Sequence, residues 1–156
     1  MFNPAELPAA ARALRLEDLA AGDAVAVEMT IDESDVDAFV ALTRDRNPIH
    51  LSDSAAQRAG FDGRVVHGML IASGVSTLVG MLLPGAEATL MSTQFDFVEP
   101  VIVRTALTLS ARITHVSAAV RAITMAIVML DAGVLVARGS VRVRVRTGAA
   151  PRDTRE

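Results

Sequence analysis

The chain lacks cysteine, tryptophan, tyrosine and lysine altogether. Without cysteine, neither a disulfide framework nor a thiolate metal site is possible, and only three histidines remain as nitrogen ligands. No metal site is therefore expected. The sequence also has no glycine-rich phosphate-binding loop, and no cofactor is expected.

Aromatic residues are limited to five phenylalanines, which leaves little surface on which bases could stack. The fifteen basic residues are all arginine and are scattered along the chain, and the net charge is −3. A nucleic-acid-binding protein normally concentrates its basic residues in one patch or stripe. Binding to nucleic acid is therefore not expected.

A chain of 156 residues fits one domain with a real core. The N-terminal segment has no basic start followed by an apolar core, so it does not resemble a secretory signal, and we expect a cytoplasmic protein. Residues 65–86 carry no charge and could in length span a bilayer. Serines, a histidine and several glycines interrupt this stretch, and amphipathic strands follow it. We therefore predict a helix over 67–83 that is buried on every side, and no membrane span.

The remaining pattern predicts an α+β domain. We expect a strand over 24–30, a helix that ends near Thr43, a long connection over 44–66 with a short helix ending at Arg58, and four strands near 88–98, 101–115, 118–131 and 133–146. The last of these strands ends in strictly alternating valine and arginine, which is typical of a strand with one face on a core. The strands are expected to form an antiparallel sheet curled around the central helix.

The segment Asp45-Arg46-Asn47-Pro48-Ile49-His50 places a carboxylate and an imidazole five positions apart around a proline. Proline fixes its own φ and disfavours helix at the residue before it, so we predict an extended loop that turns both side chains toward one substrate. Such a pair can exchange protons with that substrate. The alternative is that Asp45 merely caps the turn before Pro48, a common use of aspartate.

A second motif, Val65-Val66-His67-Gly68-Met69-Leu70, follows downstream. Together the motifs resemble the MaoC-like family of (R)-specific enoyl-CoA hydratases and dehydratases, in which D-x-N-P-x-H is followed by V-H-G-M. The resemblance covers about residues 15–147 and implies a hot-dog fold. The chain departs from the family at Arg44, where the family usually has glycine before the aspartate. This departure concerns the geometry and access of the site, not the dyad itself.

On this resemblance we expect an N-terminal extension over 1–14, a MaoC-like hot-dog domain over 15–147 and a disordered tail over 148–156. Hot-dog domains generally pair through strand edges, which also hides edges that would otherwise aggregate. A homodimer or a higher homo-oligomer is therefore predicted.

The chemistry that the resemblance implies needs two proton transfers and a donor for the developing enolate oxygen. Asp45 and His50 are the candidates for the transfers, and they would act on one face of the substrate. Which of the two handles which proton stays open. The donor is expected to be the backbone amide of Gly68, at the start of the central helix, because unpaired N–H groups and the helix dipole favour negative charge there.

Further residues are candidates for binding the substrate. By resemblance, Asn47 would help to hold the dyad, and Ser76 would face the pocket near His50. His67 stands at the helix entrance, where an imidazole can instead serve a structural role by bonding to backbone. Ser76 can also be a simple packing residue.

A coenzyme A diphosphate would have to meet arginines on the surface. Arg58 and Arg64 flank the dyad loop and are the candidates for this contact. The alternative for either one is a solvated surface charge.

The leading hypothesis is (R)-specific hydration of trans-2-enoyl-CoA to (R)-3-hydroxyacyl-CoA, together with the reverse dehydration. A 3-hydroxyacyl-acyl-carrier-protein dehydratase is the nearest alternative, with an acyl carrier protein in place of coenzyme A. A hot-dog acyl-CoA thioesterase and a non-catalytic acyl-binding subunit also stay open, since fold and motif do not prove turnover.

Overall fold

The computed structural model describes residues 1–2 and 7–146, so the expected disordered tail over 148–156 lies outside the described residues. The elements follow in the order β1 (Ala24–Thr30), α1 (Glu33–Thr43), α2 (Pro48–Leu51), α3 (Asp53–Arg58), α4 (Gly68–Thr77), β2 (Ala88–Phe97), β3 (Ala106–Ser117), β4 (Ala122–Asp131) and β5 (Val134–Val145). A short 3-10 turn, Leu16–Asp18, precedes β1, and a π-helical turn, Leu78–Leu82, continues α4. The predicted order of strands and helices is confirmed.

The strands form one five-stranded sheet in the order β1-β3-β4-β5-β2, within the residues described. Every neighbouring pair is antiparallel. The turn between β4 and β5 is Asp131-Ala132-Gly133, a sequence that predicts a hairpin turn. Ala132 and Gly133 both adopt positive φ, 45° and 89°. Both central residues of a tight hairpin turn need positive φ to match the twist of the strands. The α+β class and the curled antiparallel sheet are confirmed.

The core lies between the concave face of the sheet and α4. Alternate residues of the three central strands point inward and are buried: Leu107, Leu109, Ala111 and Ile113 of β3, Met125, Ile127 and Met129 of β4, and Val141, Val143 and Val145 of β5. On the helical side, Leu70, Ile71, Val75 and Leu78 are buried. The arginines that alternate with the valines of β5 are exposed, as the alternation predicted.

One face of α4 is open, which corrects the prediction of a helix buried on every side. Met69 is 64% exposed, and Ser73 and Ser76 on the same face are also exposed. Residues four and seven positions apart line one side of a helix. The sheet covers the opposite side, where a Cβ on Gly74 would lie 3.2 Å from Leu109 of β3.

The connection over 44–66 contains two short helices, so the expectation of an extended loop from Asp45 to His50 is wrong in its second half. Asn47 is non-helical, with ψ at 126°, but a helix begins at Pro48. Proline suits the first helical position, since its missing N–H would have no partner there and its φ is already helical. The second short helix, α3, begins after Ser52, whose hydroxyl accepts a hydrogen bond from the Ala55 amide, and it ends at Arg58 as predicted.

The N-terminal segment packs against the domain. The carbonyl of Met1 accepts a hydrogen bond from the Thr30 amide at the end of β1, and Arg12 exchanges backbone hydrogen bonds with Met81 and Ala86. The division into an extension over 1–14 and a domain from 15 stays a prediction.

No helix in the described part of the chain is both long enough and apolar enough to cross a membrane.

Candidate active site

Arg44 ends α1 in the left-handed conformation, with φ at 65° and ψ at 12°. This is the backbone geometry that glycine adopts freely and that costs other residues about 1–2 kcal/mol. Arg44 therefore adopts the left-handed backbone conformation that glycine favours, at the position where the MaoC-like pattern described above usually has glycine. The chain reverses here and brings the next residue, Asp45, toward the entrance of α4.

Asp45 is held by its own loop. One carboxylate oxygen, Oδ1, accepts a hydrogen bond from the Asn47 amide at 3.1 Å, and the Asp45 amide donates to the Thr43 hydroxyl at 3.3 Å. This is the local turn contact that the capping alternative predicted, but it uses only one of the two carboxylate oxygens. The side chain is 53% exposed. The loop therefore fixes the carboxylate and leaves it within reach of solvent and substrate.

Asn47 supports the next step of the chain as well. Its side-chain oxygen accepts a hydrogen bond from the Ile49 amide at 3.4 Å and so caps α2. Asn47 thus binds the Asp45 carboxylate with its backbone amide, and its side chain caps the helix that carries His50.

His50 is the third residue of α2 and is 9% exposed. Its Nδ1 lies 2.6 Å from the carbonyl oxygen of Val65. A carbonyl can only accept, so Nδ1 carries the hydrogen and donates it. When the ring is neutral, Nε2 therefore holds a lone pair and can take a proton.

His67 lies at the N-terminal cap of α4 and is only 3% exposed. Its ring stacks on that of His50, with the centroids 3.7 Å apart, and contacts Phe39 at 5.1 Å. Its Nε2 is 3.4 Å from the backbone oxygen of Asp45 and 3.9 Å from the carboxylate oxygen Oδ2. His67 therefore touches both members of the predicted dyad.

Burial lowers the pKa of His67 below its ordinary value of 6.5, and the neighbouring His50 lowers it further. The backbone oxygen and the carboxylate of Asp45 act in the opposite direction but do not outweigh these effects. Burial disfavours the charged form because a cation loses its hydration there. His67 is therefore neutral at neutral pH, and its Nδ1 is buried with no hydrogen-bond partner among the residues described.

Asp45, His50 and His67 bring three possible ligand atoms within 4.8 Å of one another. A metal ion would need the nitrogen lone pairs to converge on one point. The two rings are stacked with their planes only 25° apart, so their in-plane lone pairs run side by side. His50 also uses Nδ1 for the Val65 carbonyl. The stacked rings and the bond from His50 to Val65 therefore do not suit the coordination of a metal ion.

Gly68 is the first residue of α4, and a cavity of about 420 Å³ lies against it and His50. The amides of Leu70 and Ile71 both donate to the His67 carbonyl, while the described residues offer no acceptor to the Gly68 amide. A free N–H at the start of a helix is a donor for a negatively charged oxygen. The structure adds a contact that the sequence did not reveal, since a Cβ at this position would lie 3.2 Å from the ring of Phe97, which is a tight distance.

Two residues of this cavity were missed by sequence reasoning. Phe97 ends β2 and Glu99 follows it, and both line the cavity together with His50 and Gly68. They lie about thirty residues beyond Gly68 in sequence, and no motif connects them to it. A bridge between Val65 and Ile102 and the hydrogen bond from the Val66 amide to the Val101 carbonyl bring the segment after β2 to the start of α4.

Ser76 does not line the cavity that contains His50, and its expected place near His50 stays a prediction. It lines a second, more apolar cavity of about 490 Å³ with Phe39, Ser73, Met69 and Leu90. This cavity lies along the open face of α4.

The two arginines that flank the dyad loop differ. Arg58 ends α3 and is exposed, with no hydrogen bond or ion pair among the described residues. Arg64 is largely buried, and its guanidinium group is bonded to the His50 carbonyl and to Asp37. Of the two, Arg58 alone has its charged group free for a ligand.

Comparison with known proteins places this site in a family. The sequence profile described as "MaoC like domain" matches residues 20–134. An (R)-specific enoyl-CoA hydratase from Rhodospirillum rubrum is 32% identical over 83% of this chain and 90% of its own length. A 3-hydroxybutyryl-CoA dehydratase from Methylorubrum extorquens is 41% identical over 58% of this chain and 57% of its own length.

Among solved structures, the (R)-hydratase from A. caviae involved in PHA biosynthesis superposes with a TM-score of 0.80 at 29% identity. The superposition covers 83% of this chain and 99% of that chain. The profile match, the relative from Rhodospirillum rubrum and this structural likeness establish that the chain belongs to the MaoC-like domain family and has its hot-dog fold.

Proposed function

We propose that this protein is a hydro-lyase that adds water to trans-2-enoyl-CoA to give (R)-3-hydroxyacyl-CoA, and catalyses the reverse dehydration, with Asp45 and His50 as the acid–base dyad. The observation that carries the proposal is one cluster: His50 and Gly68 line the same cavity, and the Asp45 carboxylate lies within 4.8 Å of the His50 ring. The names of the relatives support the reaction class, since they are hydratases and dehydratases of acyl-CoA.

The reaction makes one C–O bond and one C–H bond. The oxygen of water bonds to C3 of the enoyl thioester, a proton of that water goes to a base of the dyad, and the other dyad member supplies a proton to C2. The Nε2 of His50 is free to exchange a proton because Nδ1 donates to Val65. Both groups are proposed to act from one side of the substrate, so both new bonds form on one face of the double bond, which is syn addition. Acid–base catalysis of this kind is worth on the order of 10²–10⁴ in rate for each group.

Addition to C3 pushes negative charge onto the thioester oxygen. The Gly68 amide is proposed to donate to that oxygen, since it has no other acceptor among the described residues. Its position at the N-terminus of α4 adds the helix dipole. A donor that is already in place when charge develops typically contributes on the order of 10²–10³ in rate.

A homodimer is part of the proposal, because one edge of the sheet is unprotected. The free edge of β2 has no partner strand within 1–2 and 7–146. Large apolar side chains on or near this strand are exposed: Leu90 at 45%, Met91 at 42%, Phe97 at 46% and Val98 at 47%. Unpaired edges with exposed apolar side chains are normally covered by a partner. We predict that two copies of the chain pair along β2. The proposed location is the cytoplasm, and the proposed substrates are acyl-CoA thioesters.

The test mixes purified protein with crotonyl-CoA and follows the enoyl-thioester absorbance and the release of free thiol in parallel. Loss of absorbance without thiol release is expected and supports hydration. Thiol release would instead favour the thioesterase alternative. If the protein acts on crotonyl thioesters of an acyl carrier protein but not on crotonyl-CoA, the carrier-protein dehydratase is favoured, and no reaction with either would leave acyl binding without turnover.

A further inference from the structure

Arg64 connects three segments around His50. Its Nε donates to the carbonyl oxygen of His50 at 2.9 Å, and its terminal nitrogen Nη2 donates to the carboxylate of Asp37 in α1 at 3.0 Å. Its backbone amide donates to the Asp53 carboxylate at the start of α3 at 2.9 Å. One residue therefore contacts α1, α2 and α3 at once.

The helix that carries His50 depends on such contacts. Helix α2 has only four residues, Pro48–Leu51, and a helix of this length has no stability of its own in water. The carbonyls at the end of a helix also need partners. The Val65 amide donates to the Ile49 carbonyl at 3.0 Å, and the Arg64 side chain satisfies the next carbonyl, that of His50.

The orientation of the imidazole follows from the same pair of residues. The Val65 carbonyl accepts the hydrogen of His50 Nδ1 at 2.6 Å, while Arg64 Nε donates to the backbone carbonyl of His50 at 2.9 Å. Bonds at both ends of His50 fix the direction in which Nε2 points. A shift of about 1 Å in a catalytic group can cost on the order of 10²-fold in rate.

The guanidinium group of Arg64 is more buried than a charged group on the protein surface normally is. Its side chain is 15% exposed, whereas that of its partner Asp37 is 67% exposed. A charge taken out of water is costly unless it is paired and hydrogen-bonded. The two hydrogen bonds that offset this cost join the guanidinium group to the His50 carbonyl in α2 and to Asp37 in α1.

We propose that Arg64 is a positioning residue, which holds the backbone of His50 and thereby aims its imidazole at the substrate, and that it does not bind the coenzyme A diphosphate. This inference rests on the proposed hydration by Asp45 and His50. It assigns to Arg64 a role different from the surface contact with coenzyme A that its sequence position suggested.

The kinetic test measures kcat and KM for crotonyl-CoA with Arg64→Ala and Arg64→Lys. In Arg64→Ala we expect kcat to fall about 10- to 100-fold while KM stays within about threefold, because the imidazole is misdirected but substrate contacts are kept. Arg64→Lys keeps the charge and should restore part of kcat, and it serves as the second variant if Arg64→Ala folds poorly. A rise in KM with unchanged kcat would overturn the proposal and favour diphosphate binding.

Two matched variants separate positioning from simple stabilisation. Asp37→Asn removes the ion pair to α1 but keeps the bond from Arg64 to His50, so kcat should stay within about threefold of wild type. Arg138→Ala removes an arginine whose ion pair with Asp96, at 3.4 Å, is exposed on the sheet, and kcat should not change. If Asp37→Asn lowers kcat as much as Arg64→Ala does, Arg64 acts only by fastening α1 and the proposal is wrong.

A measurement without turnover keeps this inference distinct from the proposed function. The nitrogen NMR spectrum of His50 reports which ring nitrogen carries the hydrogen. We expect the hydrogen on Nδ1 in the wild type, and a mixture of both forms or a faster exchange of that hydrogen in Arg64→Ala. An unchanged spectrum in Arg64→Ala would overturn the positioning role even if the wild type proved inactive on crotonyl-CoA, and inactivity alone would overturn only the proposed reaction.

Discussion

The imidazole of His67 stacks on that of His50, with ring centroids 3.7 Å apart and ring planes inclined by 25°. Two protonated rings at this distance would repel each other, so a second positive charge on the pair is electrostatically unfavourable. Burial lowers the pKa of His67 and makes it the ring that stays neutral. His67 can thus support His50 and Asp45 by packing without competing for the proton that the reaction moves.

This arrangement predicts how stability depends on pH. The pKa of His67 lies lower in the folded protein than its ordinary value of 6.5, so below about pH 6.5 the unfolded chain binds more protons than the folded one. The free energy of unfolding should therefore fall as the pH drops from 7.5 to 5.5. Denaturant titrations across this range should show a flatter dependence in His67→Gln than in the wild type.

His115 provides the matched control, because it is an exposed histidine of β3. His115→Gln should keep the slope of the wild type. Equal slopes in wild type and His67→Gln would show that the buried ring does not carry this dependence.

The contact between Gly68 and Phe97 predicts a selective loss of activity. In Gly68→Ala the new methyl group would lie 3.2 Å from the Phe97 ring and beside the amide that is proposed to bind the thioester oxygen. The contact is with the far end of the Phe97 ring, which needs to move by only a few tenths of an ångström, so the fold should survive. We expect kcat to fall on the order of 10²-fold in the crotonyl-CoA assay, because the carbonyl can no longer approach closely.

Gly80→Ala is the corresponding control, since a Cβ at that position would meet no atom within 4 Å. It should leave kcat unchanged. If Gly68→Ala keeps the wild-type kcat, the thioester oxygen does not need a residue without a side chain at position 68, and the proposed role of the Gly68 amide is wrong.

The exposed strand β2 predicts the effect of a charge on assembly. Met91 is 42% exposed on this edge strand, and a carboxylate buried against a second copy would be costly. Sedimentation velocity at micromolar concentration should find a dimer for the wild type and a monomer for Met91→Glu.

Val134, at the start of β5, is an apolar residue of similar exposure, 59%, beside the β4–β5 turn. Val134→Glu should therefore leave the dimer intact. A wild type that is monomeric, or a Val134→Glu that dissociates as Met91→Glu does, would contradict pairing at β2.

Arg44 predicts a stabilising substitution. Its left-handed backbone, with φ at 65°, strains an arginine, whereas glycine adopts it freely. The relief of about 1–2 kcal/mol exceeds the added entropy of the unfolded glycine, about 0.5–1 kcal/mol. Arg44→Gly should therefore raise the free energy of unfolding by about 0.5–1 kcal/mol.

Ala41 lies inside α1 with right-handed geometry, so Ala41→Gly adds the same backbone freedom without relieving strain. That variant should lose about 1 kcal/mol. Urea titrations measure both changes, and a loss of stability in Arg44→Gly would mean that the arginine makes a contact worth more than the strain.

Local signals in the sequence predicted the parts of the fold that depend on neighbours in the chain. The strand over 24–30, the end of α1 at Thr43 and the hairpin turn at 131–133 follow from alternation, capping residues and turn residues, and all three are confirmed. The start of a helix at Pro48 was missed, although proline at a first helical position is common.

The sequence pattern did not predict contacts between residues that are far apart along the chain. The stacking of His67 on His50, the bond from Arg64 to the His50 carbonyl, and the ring of Phe97 on Gly68 join residues 14 to 29 positions apart. Periodicity does not report such contacts, since they depend on how separate elements pack. The open face of α4 was missed for the same reason, because an apolar sequence does not show which sides of a helix the sheet covers.

The most direct measurement is the rate and stereochemistry of crotonyl-CoA hydration by the wild type, Asp45→Asn and His50→Ala, with chiral analysis of the product. Rapid formation of (R)-3-hydroxybutyryl-CoA by the wild type is predicted, with kcat lower on the order of 10²–10⁴-fold in each variant. Binding of crotonyl-CoA should persist in both. An (S) product, or a variant that binds normally and keeps more than about a tenth of the wild-type rate, would contradict the Asp45–His50 dyad.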